Sequence, residues 1–120
     1  VKGLVDDCDR ALIPIRVANK LRGELTDVVA WIDTACDGHL VFSRELSYSL
    51  SLEALVKREA ILADRSTVPL ESYSCVVEWF GEKVPIQVIE NVGRFPLVGT
   101  GLLTKRNLAI SYQSKSVELT

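Results

Sequence analysis

The stretch "ALIPIRVAN" sets Ala11, Ile13, Ile15 and Val17 at every second position, and a period of two marks a strand with one face in the core. The pattern returns along the chain. Tyr73, Cys75, Val77 and Trp79 alternate with Ser72, Ser74, Val76 and Glu78, and Val84, Ile86 and Val88 share a face. "LTDVVAWID", "HLVF", "ALVKREAILAD", "FPLV", "LAISY" and "SVELT" supply further extended runs, separated by turn-rich "KLRGE", "DRS", "FGEK", "NVGR" and "QSK". The first two strands form a hairpin across "KLRGE". Only "RELSYSL", with Ser43 as N-cap, and "GTGLLTKRN" read as short helices. Many short strands between regular turns predict an all-β fold, a compact barrel or sandwich.

At 120 residues the chain suits a single domain, residues 1–120, large enough for one core. There are no tandem repeats, low-complexity segments or linker. The acidic start, "DDCD", reads as a solvated end, so residues 1–9 are expected to be flexible. A net charge of −2 with scattered basic residues gives no footprint for nucleic acid and no polybasic membrane patch. No apolar run approaches the roughly eighteen residues of a spanning helix, and the start lacks the apolar core of a signal peptide. Cys8, Cys36 and Cys75 are odd in number and widely spaced, which fits a reducing compartment and a cytoplasmic protein.

One stretch stands apart. In "VVAWIDTACDGHLVF" (Val28–Phe42) a strand expected to bury Val29, Trp31 and Ile32 ends on Asp33, and a buried carboxylate is costly unless paired. Capping of the following turn by backbone N–H groups is one explanation. The other lies in the triplet "DTA", a variant of Asp-Thr-Gly.

Alone the triplet is a weak signal; its context strengthens it. It follows an apolar strand and precedes a Gly and another apolar strand, and downstream "FPLVGTGLL" is an apolar strand, a Gly and a short helix. Between them lies "LADRSTVPLESYSCVVEWFGEKVPI", a long hairpin. From Leu12 to Leu119 this order resembles the retropepsin-like aspartic proteases, especially their small bacterial stand-alone members. The resemblance implies a closed barrel with a flap hairpin and one short helix, and peptide hydrolysis by two carboxylates sharing one proton, with no cofactor and no metal. Because only Asp33 carries the hydroxyl-then-small pair, it also implies a homodimer with one Asp33 from each chain, acting on a peptide or protein substrate.

Other roles come from the same resemblance. Thr34 would cross the dimer axis and hold the two carboxylates in one plane. Ala35, where the family usually has Gly, would direct a backbone N–H at the carboxylate. Asp37 matches a position that binds substrate backbone and pairs with an Arg after the later Gly; here that later residue is Thr100. Ala63, Asp64, Arg65 and Ser66 would form the flap tip, and Val41, Leu97 and Val98 are candidate apolar walls for an extended substrate lying as an added strand.

Cys36 and His39, three apart, invite a thiol–imidazole reading, but no third orienting group is evident. One His cannot anchor a metal cluster, and "GTGLL" lacks the Lys of a phosphate loop. Two alternatives to the protease remain: the same fold as a catalytically weak or inactive peptide-binding and dimerisation module, and an unrelated β-barrel binding domain in which Asp33 only caps a turn.

Overall fold

The computed structural model describes residues 1–61, 63–93 and 95–120, with the backbone alone for 56–60 and 68–70. Among them are ten strands and two short helices: β1 (Lys2–Val5), β2 (Ala11–Ala18), β3 (Thr26–Ile32), β4 (Leu40–Phe42), α1 (Arg44–Ser49), β5 (Glu53–Ile61), β6 (Thr67–Trp79), β7 (Glu82–Glu90), β8 (Leu97–Val98), α2 (Thr100–Leu103), β9 (Leu108–Ser111) and β10 (Ser116–Leu119). The all-β reading holds, and the sheet closes. Its order is β5-β6-β7-β4-β8-β3-β2-β1-β10-β9, and β6 also pairs with β2. The strands β6, β7, β4, β8, β3 and β2 therefore form a ring, which removes their free edges.

Alternation builds the core. In β2, Ala11, Ile13, Ile15 and Val17 point inward while Pro14 and Arg16 are exposed. They meet Leu40, Phe42, Tyr73, Val77, Val88 and Val98, all fully buried. Ser43 caps α1 as its sequence predicts, its hydroxyl accepting from the Leu46 N–H at 3.2 Å.

Two expectations change. In β3 the inward residues are Val28, Ala30 and Ile32, whereas Val29 is 53% and Trp31 38% exposed. Successive strand side chains face opposite ways, so the outer face of this strand is apolar as well, and hydropathy alone did not tell the faces apart. At the start of the chain, where residues 1–9 were expected to be flexible, Lys2–Val5 form a strand paired with β10 on one side and β2 on the other, and Asp7, Cys8 and Asp9 after it are exposed. The acids after it make an ordered turn: Asp6 accepts from the Cys8 and Arg10 N–H groups and pairs with the Arg10 guanidinium at 2.8 Å.

At the barrel wall, β3 and β4 are consecutive but do not pair, because β8 lies between them. It runs parallel to β3 (Trp31↔Leu97, Ile32↔Val98) and antiparallel to β4 (Leu40↔Val98, Val41↔Leu97). The loop joining β3 to β4 must therefore pass over the end of β8.

Candidate active site

Asp33 begins that loop. Its N–H donates to the Val98 carbonyl at 2.9 Å, continuing the β3–β8 ladder by one residue beyond Ile32. Its Oδ1 accepts from the Ala35 N–H at 3.0 Å, and its carbonyl from the Cys36 N–H at 3.2 Å. The carboxylate is half-buried, with Thr34 and Ala35 exposed beside it. The acid at the strand end is thus neither a buried charge nor free: the turn it starts supplies an N–H, and water reaches the rest.

The segment after β8 fixes the loop from below. The Thr100 N–H and hydroxyl both donate to the Cys36 carbonyl, at 2.7 and 3.1 Å; the Gly99 N–H donates to His39 and the Gly101 N–H to Gly38, at 2.9 and 3.0 Å. Such close approach explains the glycines. A Cβ at Gly99 would stand 2.2 Å from the Gly38 carbonyl oxygen, and one at Gly101 2.7 Å from the His39 ring. Neither contact is possible without moving the loop that carries Asp33.

Beside the carboxylate, Trp31, Ile32, Asp33, Thr34 and Leu97 line an open cleft of about 300 Å³. Trp31 meets Phe95 edge-on at 6.3 Å, and the Arg10 guanidinium lies 4.2 Å from the Phe95 ring centre. The Asp6 pairing that orients Arg10 also holds the Asp6 carboxyl below the usual carboxylate range. Trp31 was expected in the core, and its place at the cleft follows from the structure, where positions 29, 31 and 33 share one face of the strand.

The other sequence candidates divide. Leu97 lines the cleft. Val98 is fully buried and Val41 nearly so; Val98 serves Asp33 through its carbonyl, and its side chain belongs to the core. Asp37 is exposed and makes no ion pair among the described residues, while Thr100 ties down the loop by hydrogen bonds. Ala63, Asp64, Arg65 and Ser66 lie exposed at the turn of the β5–β6 hairpin. Asp64 Oδ1 accepts from both the N–H and hydroxyl of Ser66, which depresses its carboxyl, and Arg65 takes a left-handed φ of +67°. His39 and Cys36 do not form a catalytic pair: no hydrogen bond joins them among the described residues, and His39 Nδ1 accepts from the Gln87 N–H at 3.3 Å. Among the described residues no three His, Cys, Asp or Glu side chains converge as a metal site, and no helix is long and apolar enough to cross a membrane.

No protein-family model matches the chain, and no curated protein matches its sequence. Solved structures do resemble it. A retropepsin-like aspartic protease from Rickettsia conorii superposes with a TM-score of 0.69 at 15% identity, over 99% of this chain and 88% of the other. EIAV protease complexed with the inhibitor HBY-793 gives 0.57 at 16% identity over 78% and 85%. The retroviral protease-like domain of Ddi1 from Leishmania major gives 0.51 at 14% over 90% and 87%. Sequence identity this low speaks for architecture, and the chain has the retropepsin-like fold.

Proposed function

We propose that the chain is an aspartic endopeptidase whose active site forms when two copies bring their Asp33 side chains together. The observation that carries this reading is the placing of Asp33 in "DTA": a water-accessible carboxylate held by a turn that β8, Gly99 and Thr100 brace. A single carboxylate is insufficient for the chemistry. Two of them a few ångströms apart cannot both ionise, so one takes a proton from a water between them as the water oxygen bonds to the scissile carbonyl carbon, while the other donates its proton to the carbonyl oxygen. Carbon–nitrogen cleavage then returns the protons to the amine and the dyad, and the titration belongs to the pair.

The exposed Thr34 and Ala35 would be covered by the twin loop in such a pair. Trp31, Leu97 and Phe95 offer apolar contact to a peptide side chain beside the carboxylate, and the hairpin tip at Ala63–Ser66 would close over a bound peptide. The test is hydrolysis of a peptide library from acid to neutral pH by the purified chain and by Asp33→Asn. Cleavage lost only in the variant supports the proposal; cleavage retained by the variant assigns the activity to another site.

A second reading has its own support. Ala35 occupies the usual Gly position and Asp37 lacks an Arg partner among the described residues, as in a fold kept for peptide binding and dimerisation with little turnover. Binding of peptides without cleavage, by both chain and variant, would favour it.

A further inference from the structure

One buried acid has no part in that chemistry. Glu90, the last residue of β7, is 7% exposed, and an unpaired carboxylate there would be costly. Its partners come from two other elements. The Arg44 guanidinium, at the start of α1, donates through Nε to Oε1 and through a terminal nitrogen to Oε2 at 3.4 Å. The Glu71 backbone N–H in β6 also donates to Oε2, at 3.4 Å.

Glu71 sits where β6 leaves the barrel. The β6–β7 ladder ends at Ser72↔Ile89, because β7 turns to β4: Phe42 pairs with Glu90, and the Asn91 N–H donates to the Phe42 carbonyl at 3.0 Å. Beyond that point, among the described residues, β6 is paired with β5 alone. Opposite this level, the β5 register slips between Ala54 and Lys57, an irregularity of the kind that bends a strand. The Glu71 carboxylate is held too, accepting from the hydroxyl of fully buried Tyr73 at 2.9 Å, while the Tyr73 ring meets Tyr48 of α1 edge-on at 6.4 Å. Helix α1 thus grips the root of the hairpin twice.

We propose that Glu90 is a positioning residue for the β5–β6 hairpin: its carboxylate, oriented by Arg44, pins the Glu71 backbone and sets the angle at which the hairpin leaves the barrel. The consequence for substrate rests on reading that hairpin as the lid over Asp33; the pinning itself does not. Burial alone would be met more cheaply by an apolar side chain. A carboxylate is the group that joins a guanidinium to a main-chain N–H.

Hydrogen–deuterium exchange on the whole chain tests this, comparing wild type with Glu90→Gln, Arg44→Met and Arg44→Lys. Glu90→Gln and Arg44→Met should speed amide exchange in residues 53–61 and 67–71 by about tenfold, the scale set by losing one such contact to local opening. β2, β3 and β7 should keep their protection, and Arg44→Lys should recover part of the hairpin's. Where peptide turnover is measurable, KM should rise severalfold with kcat close to wild type. Protection lost evenly across all strands, or hairpin exchange unchanged, would overturn the proposal. Arg44 is largely exposed, so its variants decide the matter even if Glu90→Gln fails to fold. Exchange needs no turnover, so absence of hydrolysis would sink the protease reading and leave this one decided separately.

Discussion

The N–H of Asp33 donates to the carbonyl of Val98 at 2.9 Å, so a strand from the far end of the chain sets where the acid stands. Placement of the carboxylate is therefore a property of the closed barrel and not of the "DTA" turn by itself. Asp33 stays in place only as long as β8 stays wedged between β3 and β4.

Asp33→Asn should leave the fold untouched. The half-buried side chain keeps its acceptor for the Ala35 N–H in the amide form, so stability should stay within about 0.5 kcal/mol of wild type. Peptide hydrolysis should fall by a factor of at least about 100–10,000, the usual worth of a general acid–base group. Urea denaturation and a cleavage assay on the same preparation check both halves.

Gly99→Ala, unlike Asp33→Asn, should cost stability. Its new methyl would lie 2.2 Å from the Gly38 carbonyl oxygen, a backbone atom with little room to move. A loss of about 1–3 kcal/mol is expected for overpacking of this kind. Hydrolysis should fall too, since the displaced segment carries Asp33. A stable, fully active variant would contradict the close packing of the loop on β8.

Val98 and Leu97 are adjacent but should separate cleanly. Val98→Ala removes two methyl groups from a fully buried site and should cost about 2 kcal/mol with substrate preference unchanged. Leu97→Ala, at the cleft, should cost less stability and change the preferred peptide side chain. Melting curves and library cleavage profiles of the two variants make the comparison.

Glu90 gives the protein an acid-sensitive contribution to stability. The Arg44 guanidinium holds its carboxyl below the ordinary glutamate value of 4.5, outweighing the effect of burial. A lowered folded-state value means stability that is fully present above the unfolded value and is lost as pH falls through the folded one. Between neutral pH and about pH 5, Glu90→Gln should be less stable than wild type by about 1–2 kcal/mol, the worth of a charge-assisted hydrogen bond. The gap should narrow as pH drops below the glutamate range, as followed by denaturant midpoints across pH.

A dyad shared between two chains makes activity depend on concentration. Sedimentation velocity should show monomer passing to dimer as the chain is concentrated, with activity per chain rising in parallel. Hydrolysis by a preparation that is monomeric at every concentration would remove the shared-dyad mechanism.

Local pattern revealed much of the fold and of the site. The strict alternation in β2 and the Ser43 cap of α1 are decisions made by neighbouring residues, and both stand in the structure. "DTA" and "FPLVGTGLL" announced the two halves of the loop support. What sequence could not show is pairing across distance. The faces of β3 were ambiguous because Val29 and Trp31 are as apolar as Val28 and Ile32; only the parallel pairing with β8 and the barrel wall assign them. Glu90 reads as an ordinary polar strand end, since Arg44 lies far away along the chain. The acidic start looked solvated, yet Leu4 and Val5 beside it find partners in Leu12 and Ala11.

The pairing of β1 reaches further. Val117 and Leu119 of β10 are covered within the same polypeptide that supplies β1 and β9. Under the proposed shared dyad, a pair built from chains paired in this way would come apart into halves that keep β1, β10 and β9 together, so abundance and not refolding would be the quantity that switches it on.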